Sequence, residues 1–338
     1  MRPSMSSSPH GWTTALQFGA AGLVWGSSFL FMKVALEGAT FMQILWARLV
    51  LGALALAVVM LVTRSRVPRT PRLWGHFAVV AITGSVVPFG LFAWAEQYVD
   101  SGIASILNAL TPIMTAVMVT LAFRVERVTR EQIVGVVAGI LGVIVIVGPW
   151  RFTDRIAGTG APLSEFAGQL ACVGAALCYG FTFGYLRRFI TPTGVSGVIT
   201  AFLQMALAAL AVILLTPVVF STPIVLTVPV LLSLAALGVL GTGFAYLWNI
   251  NVLLRWGPTA TSMVTYISPV IGVLLGVTVL GETLHWHEPV GAILVLVGIL
   301  FAQRRIKLSG SWLQGRRERG VSGDPAPAGK VPRRRSGR

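Results

Sequence analysis

A series of apolar stretches, each long enough to cross a bilayer as a helix, constrains this chain more than any other feature. A membrane-spanning helix needs about 20 mostly apolar residues. Only 11% of the 338 residues are charged, whereas a soluble domain carries about 25%. Lipid offers the backbone no hydrogen-bond partners, so we predict an all-α membrane protein with ten transmembrane helices. These spans, numbered 1 to 10, cover roughly residues 12–36, 41–63, 73–94, 102–123, 132–148, 164–186, 195–216, 229–253, 259–280 and 286–303.

The distribution of basic residues predicts the orientation of the spans. Cytoplasmic loops of membrane proteins are enriched in Lys and Arg. With the N-terminus in the cytoplasm, 22 of the 26 basic residues fall inside, Arg48 lies within span 2, and only Lys33, Arg151 and Arg155 fall outside. We therefore predict a multi-pass inner-membrane protein with both termini cytoplasmic.

Eleven of the basic residues lie in the tail after Gln303. We expect this tail to be disordered and to contact anionic lipid, or to serve only as a topology anchor. Because nearly all of the basic residues lie in loops and in the tail, we predict no nucleic-acid partner.

The two halves of the chain resemble each other at a nearly constant offset. Each half has five spans, and this odd number requires the second half to insert upside down relative to the first. Inverted repeats place a binding site near the membrane midplane between the halves and permit alternating access, although a duplication retained only for packing would show the same pattern. The matched pairs, 154 to 157 residues apart, are Trp25 with Tyr179, Gly26 with Gly180, Arg48 with Gln204, Gly84 with Gly241, Ser105 with Ser262, Pro112 with Pro269, Glu126 with Glu282, Gly135 with Gly291 and Gly142 with Gly298.

Short motifs follow one another in these repeats at residues 23–29 (Leu-Val-Trp-Gly-Ser-Ser-Phe), 47–49 (Ala-Arg-Leu), 104–112, 262–269 and 281–284, the last followed by Gly291 and Gly298. In this order they resemble the EamA-like branch of the drug/metabolite transporter superfamily, over about residues 12–303. The resemblance implies a bundle with a central cavity and export of amino acids or other metabolites. The predicted parts are an N-terminal tail (1–11), a first repeat (12–148), an outer linker (149–163), a second repeat (164–303) and the basic tail (304–338).

Arg48 is the first candidate for a substrate-binding residue. It lies roughly 10 Å from the predicted outer end of span 2. An arginine at the centre of a bilayer costs about 2.5–3.5 kcal/mol on insertion scales, and less near the interface. One interpretation is that it attracts an anionic group of the substrate. The other is that its side chain snorkels to the interface or bonds to carbonyl groups at a helix end. An arginine here also resembles the family pattern, which fits a shared structural role.

Polar and aromatic residues in spans 1, 3, 4, 6, 8 and 9 are the next candidates. A buried amide needs hydrogen-bond partners, which either a wet cavity or a neighbouring helix would supply to Asn108 and Asn249. The aromatic residues could form cavity walls or simply pack. The remaining candidates are Trp25, Ser28, Trp94, Tyr179, Tyr246 and Tyr266.

Two prolines occupy matching places in the halves. Pro112 and Pro269 each remove a backbone donor and bend a helix, and the hydroxyl groups of Thr111 and Ser268 beside them could satisfy the freed carbonyls. A hinge at the cavity and a static kink are both consistent with this pattern. Their matching positions favour the hinge.

The sequence also predicts which chemistries are missing. All eleven acidic residues lie in loops, tails or span ends, whereas ion-driven carriers often use an intramembrane carboxylate. We therefore expect a facilitator or exchanger, or coupling through a group at a helix end such as Glu96 or Glu282. No Walker A pattern is present. The sequence His285-Trp286-His287-Glu288 is interpreted as an interface anchor and not a metal site, since histidines two apart suit a strand better than one helix face.

The sequence thus predicts a secondary transporter that exports small metabolites by alternating access, with no catalytic residue, cofactor or metal. The competing interpretations are a lipid-acting membrane enzyme and a receptor without transport. An enzyme would need a nucleophile, paired carboxylates or a metal cluster at one membrane depth, and the sequence offers none. A receptor would leave the inverted duplication without a purpose.

Overall fold

The computed structural model describes residues 9–124, 129–148, 163–261 and 264–302, and every regular segment within them is helical. Within these residues, eight helices are long and apolar enough to cross a membrane, and two shorter apolar ones cover Ile267–Val279 and His287–Phe301. The predicted all-α membrane architecture is confirmed, and the count of ten crossings stays a prediction. The N-terminal tail and the outer linker lie mostly outside the described residues. Glu126 and the basic tail lie wholly outside them.

Several spans are built from more than one helical segment. Spans 3 and 8 each contain a π-helical stretch, where one extra residue per turn shifts the side chains that follow. The helices are Pro9–Ala35 (span 1), Phe41–Val62 (span 2), Pro71–Ala81 and Val87–Ala95 (span 3), Ser101–Asn108 and Thr111–Val117 (span 4), Arg130–Val147 (span 5), Leu163–Tyr185 (span 6), Gly197–Leu214 (span 7), Val228–Ala235 and Ala245–Thr261 (span 8), Val264–Val279 (span 9) and His287–Ala302 (span 10).

Capping boxes start two spans of the first half. At span 2 the Thr40 hydroxyl accepts from the amide of Gln43 (3.3 Å), and the Gln43 side chain accepts from the amide of Thr40 (2.9 Å). Thr129 and Gln132 repeat this arrangement at span 5. Each box satisfies two amides that a helix N-terminus leaves without partners. The Thr-x-x-Gln sequence therefore fixes where these spans begin.

The two halves interlock through reciprocal contacts. The π-helical stretches Ile82–Val86 and Ala236–Phe244 occupy matching positions in spans 3 and 8. Each presents a glycine to the other half. A Cβ on Gly84 would lie 2.7 Å from Cγ2 of Thr182 in span 6, and one on Gly241 would lie 3.1 Å from Oγ of Ser28 in span 1. Both glycines therefore permit close helix approach at equivalent places, as a two-fold relation between the halves requires.

Spans 5 and 10 pair with each other through glycines, which let two helices approach closely. A Cβ on Gly142 would lie 2.8 Å from the carbonyl oxygen of Gly291, and one on Gly298 would lie 2.7 Å from that of Gly135. These two spans give no side chain to the cavity among the described residues. Their role is therefore in the packing of the bundle.

The matching prolines have different surroundings. Pro112 is the second residue of the helix Thr111–Val117, after a break in span 4 at residues 109–110, whereas Pro269 lies inside the continuous helix Val264–Val279. The Thr111 hydroxyl donates to the carbonyl of Asn108 (2.8 Å). The Ser268 hydroxyl has no partner among the described residues. The predicted satisfaction of freed carbonyls thus holds beside Pro112, and the hinge role of both prolines stays a prediction.

Candidate substrate site

A cavity of about 140 Å³ lies between the two halves. Spans 1, 3, 4, 6, 8 and 9 line it, together with Arg48 of span 2. It brings together six of the nine predicted binding residues and adds seven others. The predicted ones are Trp25, Ser28, Arg48, Asn108, Tyr179 and Tyr246; the additional ones are Phe29, Met32, Phe89, Phe92, Thr111, Phe183 and Ser268.

Arg48 turns inward and is only 7% exposed. Its guanidinium carbon lies 3.8 Å from the centre of the Phe89 ring, a cation–π contact. Nε donates to the Thr242 hydroxyl (3.3 Å), and Nη1 faces the Met32 sulfur at 3.8 Å, a weak acceptor. No carboxylate lies within ion-pair distance of it in the part of the chain that the structure describes. A guanidinium carries five N–H donors, so this cation keeps donors for an anionic ligand.

Aromatic rings form most of the cavity wall. The Trp25 ring meets the Tyr246 ring edge-on at 5.9 Å, and its Nε1 donates to the carbonyl of Gly241 at 3.0 Å. Tyr179 stacks on Phe92 at 6.3 Å. These contacts hold the rings in fixed orientations, so the wall is preformed for an apolar group.

Polar groups are few and come mainly from the broken span 4 and from span 9. Asn108 and Thr111 lie on either side of the break, and Ser268 occupies the position in span 9 that matches Thr111. Ser28 adds a hydroxyl from span 1, which donates to the carbonyl of Val24 (2.9 Å). A mostly apolar cavity with a few placed polar groups and one cation is suited to a small amphipathic anion or zwitterion.

The other three predicted residues lie elsewhere or are not described. Trp94 contacts Tyr98 edge-on at 5.1 Å, near the end of span 3. Asn249 is partly buried in span 8 and does not line the cavity. Tyr266 lies on the helix Val264–Val279, but its side chain is outside the described part of the structure.

Helical spacing was the signal that could have found the additional lining residues. Trp25, Ser28 and Met32 follow a spacing of three and four, which places them on one helix face. Phe89 and Phe92 lie three apart in span 3, and Phe183 lies four residues beyond Tyr179. Extending each predicted residue by three or four positions along its own span therefore reaches four of the seven side chains that sequence reasoning missed, namely Phe29, Met32, Thr111 and Phe183.

Bonds between the halves link the two repeats at one end of the bundle. We call it the acidic end; its connections are residues 36–40, 96–100, 215–227 and 280–286. The amide of Val225 donates to the carbonyl of Gly38 (2.8 Å), and the Gln43 amide group reaches the carbonyl of Thr222 (2.7 Å). The Glu282 carboxylate accepts the amides of Ser101 (2.7 Å) and Gly102 (3.0 Å).

Two acidic side chains at this end differ in their surroundings. Glu282 satisfies the first amides of span 4, where the helix dipole favours a negative charge. Glu96 is fully buried, and neither oxygen of its carboxylate has a partner among the described residues. Burial raises the pKa of Glu96 well above its ordinary value, the positive charges of Lys33 and Arg48 oppose that rise, and Glu282 adds to it. Burial, and then the charge of Glu282, also raise the pKa of Asp100.

The histidines before span 10 lie closer to each other than their spacing suggested. Their rings stack at 5.7 Å, and the ligand atoms of His285, His287 and Glu288 lie within 4.8 Å of one another. Only His287 and Glu288 are on the helix, and His285 folds back from the loop before it. Glu288 accepts from the amide of His285 (2.9 Å) and faces its Nδ1 at 3.3 Å. These bonds account for the close approach of the three side chains, which lie at the N-terminal end of span 10.

Comparisons with known proteins agree with this architecture. A transporter of Bacillus subtilis, uncharacterized and called YoaV, is 22% identical, over 84% of this chain and 96% of its own length. A probable terminal-alkyne amino-acid exporter of Streptantibioticus cattleyicolor is 26% identical over 84% and 91%. The uncharacterized inner membrane transporter YedA of Escherichia coli is 26% identical over 79% and 82%.

A solved crystal structure shares the fold. It matches with a TM-score of 0.60 over 88% of this chain and 99% of its own, at 20% sequence identity. The model of the EamA-like transporter family matches this sequence twice, at residues 12–148 and 166–303. These two matches confirm the internal repeat that the offset of matched residues predicted. The chain is a membrane transporter and belongs to the EamA-like transporter family.

Proposed function

We propose that this protein exports amino acids or closely related amphipathic carboxylates by alternating access between its two halves. One observation carries the proposal. A buried guanidinium with no carboxylate partner in the described structure faces an aromatic cavity between the repeats. Arg48 then binds the carboxylate of the substrate, and the rings of Trp25, Tyr179 and Tyr246 contact its apolar part.

The chemistry of the cavity suits an amino acid. The fork of an arginine matches a carboxylate with two parallel hydrogen bonds, and such charge-assisted bonds are about twice as strong as neutral ones. The hydroxyl oxygens of Thr111 and Ser268 and the amide oxygen of Asn108 accept hydrogen bonds, as an ammonium group requires. A volume of about 140 Å³ gives room for a small metabolite.

The closed acidic end provides one state of an alternating cycle. We propose that this end faces outward and that the bonds across it hold the cavity closed to the outside. The bonds from Glu282 and Gln43 link the two halves at this end, and breaking them would open the cavity there. The amino-acid exporter among the relatives supports the substrate class and direction for this chain.

An efflux experiment tests the proposal. Cells expressing the protein are loaded with dipeptides, whose hydrolysis raises cytoplasmic amino acids, and the medium is then profiled for amino acids. We expect faster appearance of one or more of them than in cells expressing Arg48→Gln at equal membrane level. An identical time course for both proteins, under overload, would contradict the proposal.

A matched pair of asparagine variants locates the site. Asn108 lines the cavity and Asn249 does not, so Asn108→Ala should slow efflux while Asn249→Ala should not. Tryptophan fluorescence of the purified protein, in which Trp25 reports on the cavity, checks binding separately. Binding without efflux in every condition would favour the receptor interpretation instead.

A further inference from the structure

Glu96 sits directly behind the cavity. It follows the last residue of Val87–Ala95 and lies one turn beyond Phe92, so both side chains share a face of span 3. Phe92 lines the cavity wall, and Glu96 is 0% exposed. Neither of its oxygens has a hydrogen-bond partner within the described ranges. An ionised carboxylate in such a place costs far more than a neutral carboxyl group does.

The nearest cation does not pair with this carboxylate. Lys33 of span 1 donates to the backbone carbonyls of Glu96 (2.8 Å) and Val99 (2.9 Å). The other charged and titratable groups that face Glu96 are Arg48 on span 2, Cys172 on span 6 and Glu282 ahead of span 10. Asp100 lies in the same loop. Two cations and two further acidic groups therefore surround Glu96, and burial has the largest effect on its pKa.

The second carboxylate at this end already has a structural task. Both oxygens of Glu282 accept backbone amides, at Ser101 and Gly102, so its charge is matched by the start of span 4. The hydroxyl of Ser101, next to it, is buried and has no partner among the described residues. Of the two helix-end carboxylates that the sequence offered for ion coupling, the structure leaves Glu96 available.

We propose that Glu96 is a proton-binding site, and that closing the acidic end of the cavity requires a proton on its carboxylate. The step takes one proton from water at that end and converts a carboxylate into a neutral carboxyl group that can be buried. Opening admits water, the proton leaves, and the Lys33 ammonium can then turn from the two carbonyls to the charged carboxylate. This inference rests on the proposed transport cycle, and it supplies that cycle with a proton-dependent step.

Thiol accessibility tests the proton-dependent closure without a substrate. Ser101→Cys places a thiol at a buried site of the acidic end, and Tyr98→Cys places one at a site that is 41% exposed. Labelling by a membrane-impermeant maleimide is expressed as the ratio of the two, which cancels the pH dependence that both thiols share. The native cysteines lie inside span 6, and the unsubstituted chain gives the background.

We expect the ratio to rise several-fold as the pH is raised from acidic to alkaline, because ionised Glu96 favours the open end. With Glu96→Gln the ratio should stay low at every pH, since the amide remains neutral. Glu37→Gln, at an exposed acidic residue of the same end, should behave like the parent. A pH dependence unchanged by Glu96→Gln would overturn the proposal.

Stability against pH gives a second readout. A carboxyl group whose pKa is raised on folding keeps its proton where the unfolded chain, with an ordinary pKa of about 4.3, has lost it. The free energy of unfolding therefore falls as pH rises from that value through the raised one. In detergent, the melting temperature of Glu96→Gln should no longer fall as pH rises, whereas that of Glu37→Gln should still fall. A fall of equal size in Glu96→Gln would contradict proton binding at Glu96.

These measurements separate the two proposals. Loss of the pH effects in Glu96→Gln without any amino-acid efflux would refute the proposed export and leave the proton site standing. Efflux that persists with no pH effect at Glu96 would refute the proton site alone. An infrared band of a protonated carboxyl group, present in the parent at neutral pH and missing from Glu96→Gln, is the expected direct signature.

Discussion

Arg48 and Gln204 occupy matching positions in the two repeats and differ in how fully they are bonded. Gln204 of span 7 donates to the hydroxyl of Ser85 in span 3 (2.8 Å) and to the carbonyl of Gly84 (3.3 Å). Arg48 of span 2 donates to the hydroxyl of Thr242 in span 8, the residue that matches Ser85. The same contact is thus made twice, once by a neutral amide and once by a cation.

This difference shows how a duplicated scaffold acquires a site. The reciprocal contact holds span 2 to span 8 and span 7 to span 3, so each half needs a hydrogen-bond donor at this position. An amide satisfies the need completely and is buried away from the cavity. A guanidinium satisfies it with one N–H and presents others to the cavity. The structural role and the binding role therefore coexist in Arg48, and only the structural one remains in Gln204.

The largest effect is expected when the first half is made like the second. Arg48→Gln keeps a donor for Thr242 and removes the charge. Hydrogen bonds to charged groups contribute about 1.5–3 kcal/mol, so affinity for amino acids should fall roughly 10- to 100-fold. Tryptophan fluorescence titration measures it.

The melting temperature of Arg48→Gln should not fall, because the change removes a buried cation with weak partners. A lower melting temperature with unchanged affinity would assign Arg48 a structural role alone. Arg48→Lys provides a further control, since it keeps the charge and loses the two-pronged geometry.

The opposite result is expected for the second half. Gln204→Ala leaves the hydroxyl of Ser85 and the carbonyl of Gly84 without their donor, in a buried place. Unsatisfied buried polar groups cost about 1–3 kcal/mol, so the melting temperature in detergent should fall while affinity stays unchanged. A loss of affinity as large as that of Arg48→Gln would show that the two positions are not functionally distinct.

The matching glycines should respond unequally to a methyl group. A Cβ on Gly84 would lie 2.7 Å from Cγ2 of Thr182 and 2.9 Å from Nε2 of Gln204, whereas one on Gly241 would meet only Oγ of Ser28 inside 3.4 Å, at 3.1 Å. Overpacking typically costs about 1–3 kcal/mol. We expect Gly84→Ala to lower the melting temperature more than Gly241→Ala. Equal losses would mean that both interfaces are equally tight.

The architecture could be predicted from sequence because it depends on patterns that extend over many residues. The length of the apolar stretches predicts the spans. The nearly constant offset between matched residues such as Pro112 and Pro269 predicts the repeat. Neither of these signals needs the rotation of one helix about its own axis.

The site was predicted only in part because it depends on those rotations. Asn108 and Asn249 looked equivalent in sequence, and one lines the cavity while the other does not. The π-helical stretch before Ala245 shifts the register of span 8, so no regular helix projection places Asn249 correctly. Glu96 and Glu282 were equally plausible coupling groups, and only the amides of span 4 distinguish them.

The smallest effect is expected at the acceptor of the reciprocal contact. Thr242→Val removes the hydroxyl that accepts from Nε of Arg48 and keeps nearly the same shape. One hydrogen bond contributes about 0.5–1.5 kcal/mol net, so affinity should fall by roughly 2- to 10-fold, as a less firmly oriented guanidinium would bind a carboxylate less well. Ser85→Ala at the matching position should leave affinity unchanged and lower the melting temperature, since Gln204 binds no substrate. If Ser85→Ala weakened binding as much as Thr242→Val, orientation of Arg48 by Thr242 would not explain either result.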